Sequence, residues 1–319
     1  MKINKNSALI IGCGNIGAFY DLNNHDILSH AKAYHENKSF DFSIFDENIK
    51  KANIVKKKYN CFIEENLDYL NKYNFISICS PTSTHFKYLE KCLTSKIPLI
   101  ICEKPISNNI KELNNLKILY NKSDSKIIVN YFRQFHPTFL KLKSLLQKKN
   151  LNDNLIMINV RYHKGFLNNC SHAINLIEFL YNLEIDFSNF KVNNFNFDFF
   201  EDDPTITASG KSDNININLI GFNNIKYSIF EIDFIYINSM IKIYDSGNTI
   251  EFYNGSRKIE KFPLPLIENL NLKKTNAITN RMKYVIKHAN DIYINNSKDN
   301  FLKSLNLNIK MVNFLNNKI

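Results

Sequence analysis

Short apolar runs alternate with helically spaced segments over the first 130 or so residues. Ser7–Ile11, Asp41–Phe45, Phe75–Cys79, Pro98–Cys102 and Lys126–Asn130 have the length of buried strands. Between the later ones, Thr84–Leu93 and Ile110–Tyr120 carry apolar residues at helical spacing. Apolar strands in alternation with amphipathic helices predict a parallel sheet with helices on both faces. Beyond about residue 135 the texture changes. A helix is predicted over Pro137–Lys149, with proline in its first turn. Alternating strand patterns come next, at Leu155–His163, Lys191–Phe199, Asp213–Phe222, Lys226–Ile235, Met240–Tyr244 and Thr249–Tyr253. Within them Ile215, Ile217 and Leu219 alternate with Asn214, Asn216 and Asn218, which predicts one buried and one wetter face. A helical stretch, Cys170–Asn182, interrupts the strands, and two helices near Asn276–Tyr293 and Phe301–Asn316 end the chain. The expected fold class is therefore α/β: a doubly wound parallel sheet over residues 1–125, then an α+β domain with a large, mainly antiparallel sheet over residues 126–319. No internal repeat and no flexible linker divides them.

Length and composition agree with this picture. A chain of 319 residues can bury two cores, and 44% hydrophobic with 22% charged residues is a globular balance. The Asn- and Lys-rich stretches read as polar loops and solvated helix faces, in keeping with the codon bias of an AT-rich genome. The net charge of +11 raises the question of an anionic partner. The lysines are scattered, in clusters no longer than Lys56-Lys57-Lys58 or Gln147-Lys148-Lys149, and no arginine-rich stripe appears. Nucleic acid is therefore not expected as a partner; a pyrophosphate-bearing ligand, or plain surface bias, accounts for the charge. The six cysteines form no CxxC pair and no zinc-like spacing with histidine, so no metal is expected. Cys13, Cys79 and Cys102 lie at the ends of apolar runs, as buried thiols do. No secretory signal precedes the first strand and no apolar stretch has membrane-spanning length, so a reduced, cytoplasmic setting without a membrane partner is expected.

Gly12-Cys13-Gly14-Asn15-Ile16-Gly17 is GxGxxG between a strand and a helical stretch. In a Rossmann domain the first glycine permits the tight turn, the second admits a pyrophosphate to the backbone, and the third lets helix and strand pack closely. The alternative is a glycine turn of purely structural purpose. Asp46 ends the second strand, where a carboxylate accepts both adenosine-ribose hydroxyls and repels a 2′-phosphate; this favours NAD over NADP. A solvated turn aspartate would look the same. The 29-position gap from Gly17 to Asp46 exceeds the usual spacing of about 20, and the extra length falls in Tyr20–His30. Two further loops, Cys79-Ser80-Pro81-Thr82-Ser83-Thr84-His85 and Cys102-Glu103-Lys104-Pro105-Ile106-Ser107, begin where apolar strands end, at the edge that faces the ligand crevice of such a sheet. A lysine there can move a proton on or off a reacting oxygen. A solvated loop lysine at 104 and a capping or packing histidine at 85 remain the alternatives.

GCGNIG, CSPTSTH, EKPIS and NYFRQFHP, in this order and spacing, resemble the glucose-fructose oxidoreductase / inositol dehydrogenase (Gfo/Idh/MocA) family, whose hallmark is EKP. The match runs from the first strand through Asn182, and the later strands fit by pattern only. The resemblance implies NAD as cofactor, Lys104 as the catalytic lysine, and Ser80, Pro81, Thr82 and His85 beside the cofactor. It also implies that Glu103 and Pro105 shape the loop, with room for a cis Lys-Pro bond, and that Arg133 and His136 point toward substrate; ordinary loop and helix-start polarity is the alternative for that pair. In Gly165–Leu176, His172 matches the family histidine, while the expected carboxylates at positions 168 and 175 are Asn168 and Asn175. Asn168 can orient a substrate but cannot take a proton. The wording around Tyr162 and Gly165 resembles a branch associated with surface-polysaccharide sugars.

Together these features lead to the expectation of an NAD-dependent oxidoreductase acting on a secondary alcohol or ketone of a sugar or nucleotide sugar. Lys104 and His172 would carry the proton chemistry, and Arg133, Tyr162 and Asn168 would position substrate. The alternatives are a non-catalytic NAD-binding regulator, which Asn168 motivates, and an enzyme that recycles its NAD internally. Family resemblance further implies a homodimer or homotetramer.

Overall fold

The computed structural model describes residues 5–148, 155–255, 265–268 and 276–319. The chain forms two units, each with its own sheet. One comprises the chain up to Phe135 together with Thr279–Ile309; the other comprises His136–Ile278 and Lys310–Ile319.

In the first unit six parallel strands run in the order β3-β2-β1-β4-β5-β6. They are β1 (Asn6–Ile11), β2 (Phe40–Phe45), β3 (Phe62–Ile63), β4 (Phe75–Ile78), β5 (Leu99–Cys102) and β6 (Lys126–Val129). β4 and β5 are buried along their whole length, as strands covered on both faces must be. One face is covered by α1 (His30–Glu36), α2 (Ile49–Tyr59) and α7 (Arg281–Asn295), through Ala31, Tyr34, Ala52, Val55, Met282 and Ile286. α3 (His85–Thr94) and α4 (Ile110–Asn121) pack against each other. Helix α8 (Phe301–Lys318) begins in this unit and ends in the other.

The division between units corrects the expected boundary at residue 125. β6 pairs with β5 through Leu99–Lys126 to Cys102–Val129, so it completes the first sheet, and α7 returns to cover that sheet. The outer edge of β6 is closed by side chains. Asp299 accepts the Ile127 N–H at 2.8 Å, and Asn300 accepts the Val129 N–H at 3.0 Å and donates to the Val129 carbonyl at 3.2 Å. These bonds occupy backbone groups that an edge strand otherwise offers to another chain.

The second unit is built on an eight-stranded sheet, order β14-β13-β12-β11-β7-β10-β9-β8. Its strands are β7 (Leu155–Tyr162), β8 (Lys191–Asn196), β9 (Thr205–Ser212), β10 (Ile215–Gly221), β11 (Phe230–Tyr236), β12 (Ser239–Tyr244), β13 (Thr249–Gly255) and β14 (Pro265–Glu268). Every pairing is antiparallel except β7 with β10. Ile217 and Leu219 are buried while Asn216 is exposed, and Asn218 donates to Asn159 across the β7 pairing at 2.8 Å. α5 (Pro137–Lys148) and α6 (Ser171–Tyr181) pack together in this unit. The predicted last residue of α5, Lys149, lies outside the described residues. β3, β9 and β14 were not among the expected strands. β9, Thr-Ile-Thr-Ala-Ser-Gly-Lys-Ser, reaches burial because small residues fit against its neighbours: a Cβ on Gly210 would sit 2.4 Å from Phe190.

Asp299→Ala removes acceptors from the Ile127 N–H and the Tyr120 hydroxyl, each at 2.8 Å. Hydrogen bonds to a charged group are worth about 1.5–3 kcal/mol, and urea unfolding of the variant should show a loss of that order with the m-value unchanged.

Candidate functional site

The loops after β1, β4 and β5, together with Asn130, leave one edge of the first sheet because its ladder runs a residue beyond each strand. Gly12 N–H donates to Phe45 O (2.8 Å), Cys79 N–H to Ile11 O (2.8 Å), Glu103 N–H to Ile78 O (3.0 Å) and Asn130 N–H to Cys102 O (2.9 Å). The strand order reverses between β1 and β4, the place where doubly wound sheets open a crevice.

The three glycines of the first loop divide by what surrounds them. Gly12 has φ +99°, and a Cβ there would lie 2.6 Å from the Ser80 nitrogen; at Gly17 it would lie 2.1 Å from the Gly12 carbonyl oxygen. These two let the backbone pack on itself. A Cβ on Gly14 would meet nothing within 4 Å. The second glycine thus faces open space, as a turn that admits a pyrophosphate requires. Asn15 and Ile16 lie in the helical turn that comes after it, where Ala18 N–H bonds Gly14 O at 2.9 Å and Tyr20 N–H bonds Asn15 O at 3.0 Å.

The chain then makes an excursion before α1. It returns with His30 N–H on Ile16 O (3.0 Å) and Ala31 N–H on Gly17 O (2.9 Å), so α1 continues from the glycine turn in space. Buried Asp21 closes the excursion by accepting Leu28 N–H (2.6 Å), Ser29 N–H (2.7 Å) and the Ser29 hydroxyl (2.5 Å). The extra spacing between Gly17 and Asp46 is this segment.

Asp46, just past β2, accepts Cys13 N–H at 2.6 Å on one oxygen and Asn48 N–H at 2.7 Å on the other. A carboxylate has about four lone-pair sites, so capacity remains for ribose hydroxyls while the group is held against the glycine turn. In the next loop the Thr84 hydroxyl reaches Ser80 Oγ (2.7 Å) and Pro81 O (2.8 Å), and Thr82 opens a single helical turn. His85 is buried, with Nδ1 2.9 Å from Pro105 O and Nε2 2.9 Å from Ser80 O. It clamps the two loops together. Burial lowers its pKa, against the pull of those carbonyl contacts.

The Lys104–Pro105 peptide is cis. Glu103 is buried; burial alone would raise its carboxyl, but the hydrogen bond and attraction of His30, donation from Asn130 and the charge of Lys104 outweigh that and hold it below its ordinary value. Arg133 is buried on the Phe132 ring, its carbon 4.5 Å from the ring centre. Burial first, and then the neighbouring Arg281, push its pKa down to about 9. His136, in the second unit, is buried, and its Nδ1 accepts Thr138 N–H at 3.2 Å, a helix-start role.

In the second unit Phe166–Cys170 forms a π turn that runs into α6, so Asn168 and His172 share one helical run. Its amino end is gripped by Asp203, which accepts Leu167 N–H and Asn168 N–H, both at 2.7 Å. Nothing local announced Asp203, because its partners lie 36 and 35 residues back. His30 was equally silent, as the polar end of an insertion. Tyr162 needs correcting: it is fully buried, its hydroxyl donates to Ile206 O (2.8 Å) and accepts Ile206 N–H (3.0 Å), and it has no surface to offer a substrate. Its place is in the sheet core.

Among the described residues no group of His, Cys, Asp and Glu is set to hold a metal ion, and no helix is long and apolar enough to cross a membrane. All six cysteines are buried.

Residues 7–131 match the model of an oxidoreductase family, described as an NAD-binding Rossmann fold. Over that stretch the chain is similar to the nucleotide domain of the Gfo/Idh/MocA oxidoreductases. Its sequence is 26% identical over 135 residues to UDP-N-acetylglucosamine 3-dehydrogenase of Acidithiobacillus ferrooxidans (42% of this chain, 39% of that protein). It is 30% identical over 93 residues to inositol 2-dehydrogenase 2 of Mycolicibacterium vanbaalenii (28% and 26%). The chain thus aligns with less than half the length of either relative. A structure of the Acidithiobacillus enzyme superposes with a TM-score of 0.75 at 16% identity, covering 98% of this chain and 96% of that one. A structure from Desulfitobacterium hafniense, described as an NADPH-dependent oxidoreductase, gives 0.78 at 13% identity, covering 99% and 94%. At such identities these structures speak for the fold, across both units.

Alanine at the two glycines should separate folding from binding. Gly14→Ala should keep the wild-type melting temperature and lose at least ~10-fold in dinucleotide affinity by fluorescence titration with NAD and NADP, since a methyl there occupies the space a pyrophosphate needs. Gly17→Ala should lower the melting temperature itself, because its Cβ meets backbone at 2.1 Å.

Proposed function

We propose that this protein is an NAD-dependent oxidoreductase acting on a secondary alcohol or ketone of a sugar or nucleotide sugar. The observation that carries the reading is the convergence, at the β1/β4 reversal, of an open Gly14, an anchored Asp46 and the Lys104 turn on one sheet edge. Gly12, Gly14, Asn15, Ile16 and Gly17 would hold the pyrophosphate, Asp46 the adenosine ribose, and the Ser80–Thr82 loop with Glu103 and Lys104 the nicotinamide end. When bound, the nicotinamide supplies the acceptor or donor of the hydride. The side chains have the proton to manage.

Lys104 is the proposed acid–base group: it takes the hydroxyl proton as an alcohol is oxidised and returns one to the oxygen as a ketone is reduced. His172 is its proposed catalytic partner on the substrate oxygen, and Asn168 and Arg133 would orient the substrate through hydrogen bonds and charge. With asparagine at 168, proton acceptance falls to Lys104 and His172 alone. The named relatives, a nucleotide-sugar dehydrogenase and an inositol dehydrogenase, support a polyhydroxylated ring as substrate. Asp46 supports NAD over NADP through repulsion of a 2′-phosphate. A cytoplasmic homo-oligomer working in surface-glycan synthesis is the setting this reading fits. Asn168 also suits a non-catalytic NAD-binding regulator on the same scaffold, for which Lys104 and His172 would have no use.

Turnover should be assayed with NAD and NADP against UDP-N-acetylglucosamine, myo-inositol and a panel of nucleotide sugars. The expected result is NAD-linked turnover that Lys104→Ala lowers at least ~100-fold, the scale of a lost general acid–base. Binding of NAD with no turnover on any substrate would favour the regulator. A thermal shift with NADP and none with NAD would overturn the role given to Asp46.

A further inference from the structure

A line of four hydrogen-bonded side chains crosses the core of the first unit and ends at Glu103, beside Lys104. Tyr34 and His30 are on α1, Ser77 is in β4 and Glu103 comes directly after β5; the first three are fully buried and Glu103 is nearly so. Tyr34 Oη lies 2.9 Å from Ser77 Oγ, Ser77 Oγ lies 3.0 Å from His30 Nδ1, and His30 Nε2 lies 3.0 Å from Glu103 Oε1. Asn130 Nδ2 donates to that same oxygen at 2.5 Å.

Counting protons orients the line. Burial pushes the Tyr34 phenol well up, so it keeps its proton and donates to Ser77. Ser77 then gives its own proton to His30 Nδ1, and the ring proton stands on Nε2, aimed at Glu103. Each link has one donor and one acceptor, with no buried polar atom of the line left over. The return of α1 after the excursion is what brings His30 here, since His30 N–H is bonded to Ile16 O.

We propose that His30 is a positioning residue of the Lys104 site: its Nε2–H fixes the Glu103 carboxylate beside Lys104, and that carboxylate raises the proton affinity of the lysine amine. The inference rests on the reading of Lys104 as the acid–base group. The charged and titratable groups facing Glu103 are His30 from α1, Lys104 on its own turn, Arg281 at the start of α7, His85 from α3, and the thiols of Cys79 and Cys102, which burial keeps protonated. Of His30 and Asn130, the two donors to Oε1, His30 is the one backed by a line of further donors; without it the carboxylate is no longer held in place beside Lys104. Lys104 then loses an anionic neighbour and releases its proton more readily.

The test is a titration of Lys104 in the intact chain, read from 13C signals of reductively methylated lysines, with the Lys104 signal assigned by its loss in Lys104→Arg. His30→Leu should lower the Lys104 midpoint by about one pH unit, the scale on which one opposite charge acts. His30→Gln, whose amide can still donate to Glu103, should stay within about 0.3 units of wild type, well inside that scale. An unmoved midpoint in folded His30→Leu overturns the proposal, and so does a fall in His30→Gln as large as in the leucine variant. If His30→Leu does not fold, 15N-histidine spectra of the wild-type chain decide: a proton on His30 Nε2 is expected, and a bare Nε2 overturns it. The titration needs no turnover, so its failure is distinct from failure of the oxidoreductase reading, which would appear as NAD binding with no turnover on any substrate.

Discussion

Gly12 lies so close to the Ser80 backbone that no side chain fits between them, and the first unit's site is arranged around that contact. It holds the loops after β1 and β4 together at the place where the sheet reverses its winding. Because the strands are parallel, their carboxyl ends share one edge, and the ladder bonds past each strand keep the loop segments in register there. His85 then ties the second loop to the third through the carbonyls of Ser80 and Pro105. Asp46 ties a further point, the end of β2, to Cys13. A ligand crevice thus arises from backbone proximity before any reactive group is considered.

The loop after β5 adds a buried charge to this frame. An ionised carboxylate removed from water is costly by several kcal/mol unless it is hydrogen-bonded and paired. Glu103 meets both conditions, with His30 and Asn130 donating and Lys104 next to it. The excursion between Phe19 and Ser29, which at first looks like a disposable surface insertion, is what delivers His30 to that position. Asp21 accepts the Leu28 and Ser29 amides and the Ser29 hydroxyl, which closes the segment on itself.

In the second unit the same economy is visible at Asp203. The helical run bearing Asn168 and His172 starts in a π turn whose first amides have no helical partner, and a carboxylate from the segment before β9 accepts two of them. Tyr162, by contrast, spends its hydroxyl on the backbone of Ile206 in β9. The distant Asp203 supports the turn, while Tyr162, six residues from Asn168, supports the sheet.

The amino-acid sequence by itself determined everything local: apolar runs of strand length, GxGxxG after the first of them, and the EKP turn after another. Periodicity and turn chemistry act between near neighbours, so β1, β2, β4, β5 and β6 appeared within a residue or so of their observed ends, and the mainly antiparallel sheet was foreseen from alternation. Only the tertiary structure decided the rest. β9 becomes a strand because small residues meet Phe190; β6 joins the first sheet because β5 is its partner; α7 covers that sheet from far along the chain. His30 reaches Glu103 across 73 positions and Asp203 reaches Asn168 across 35. Such contacts depend on how the chain returns through space, and no window of residues contains both ends.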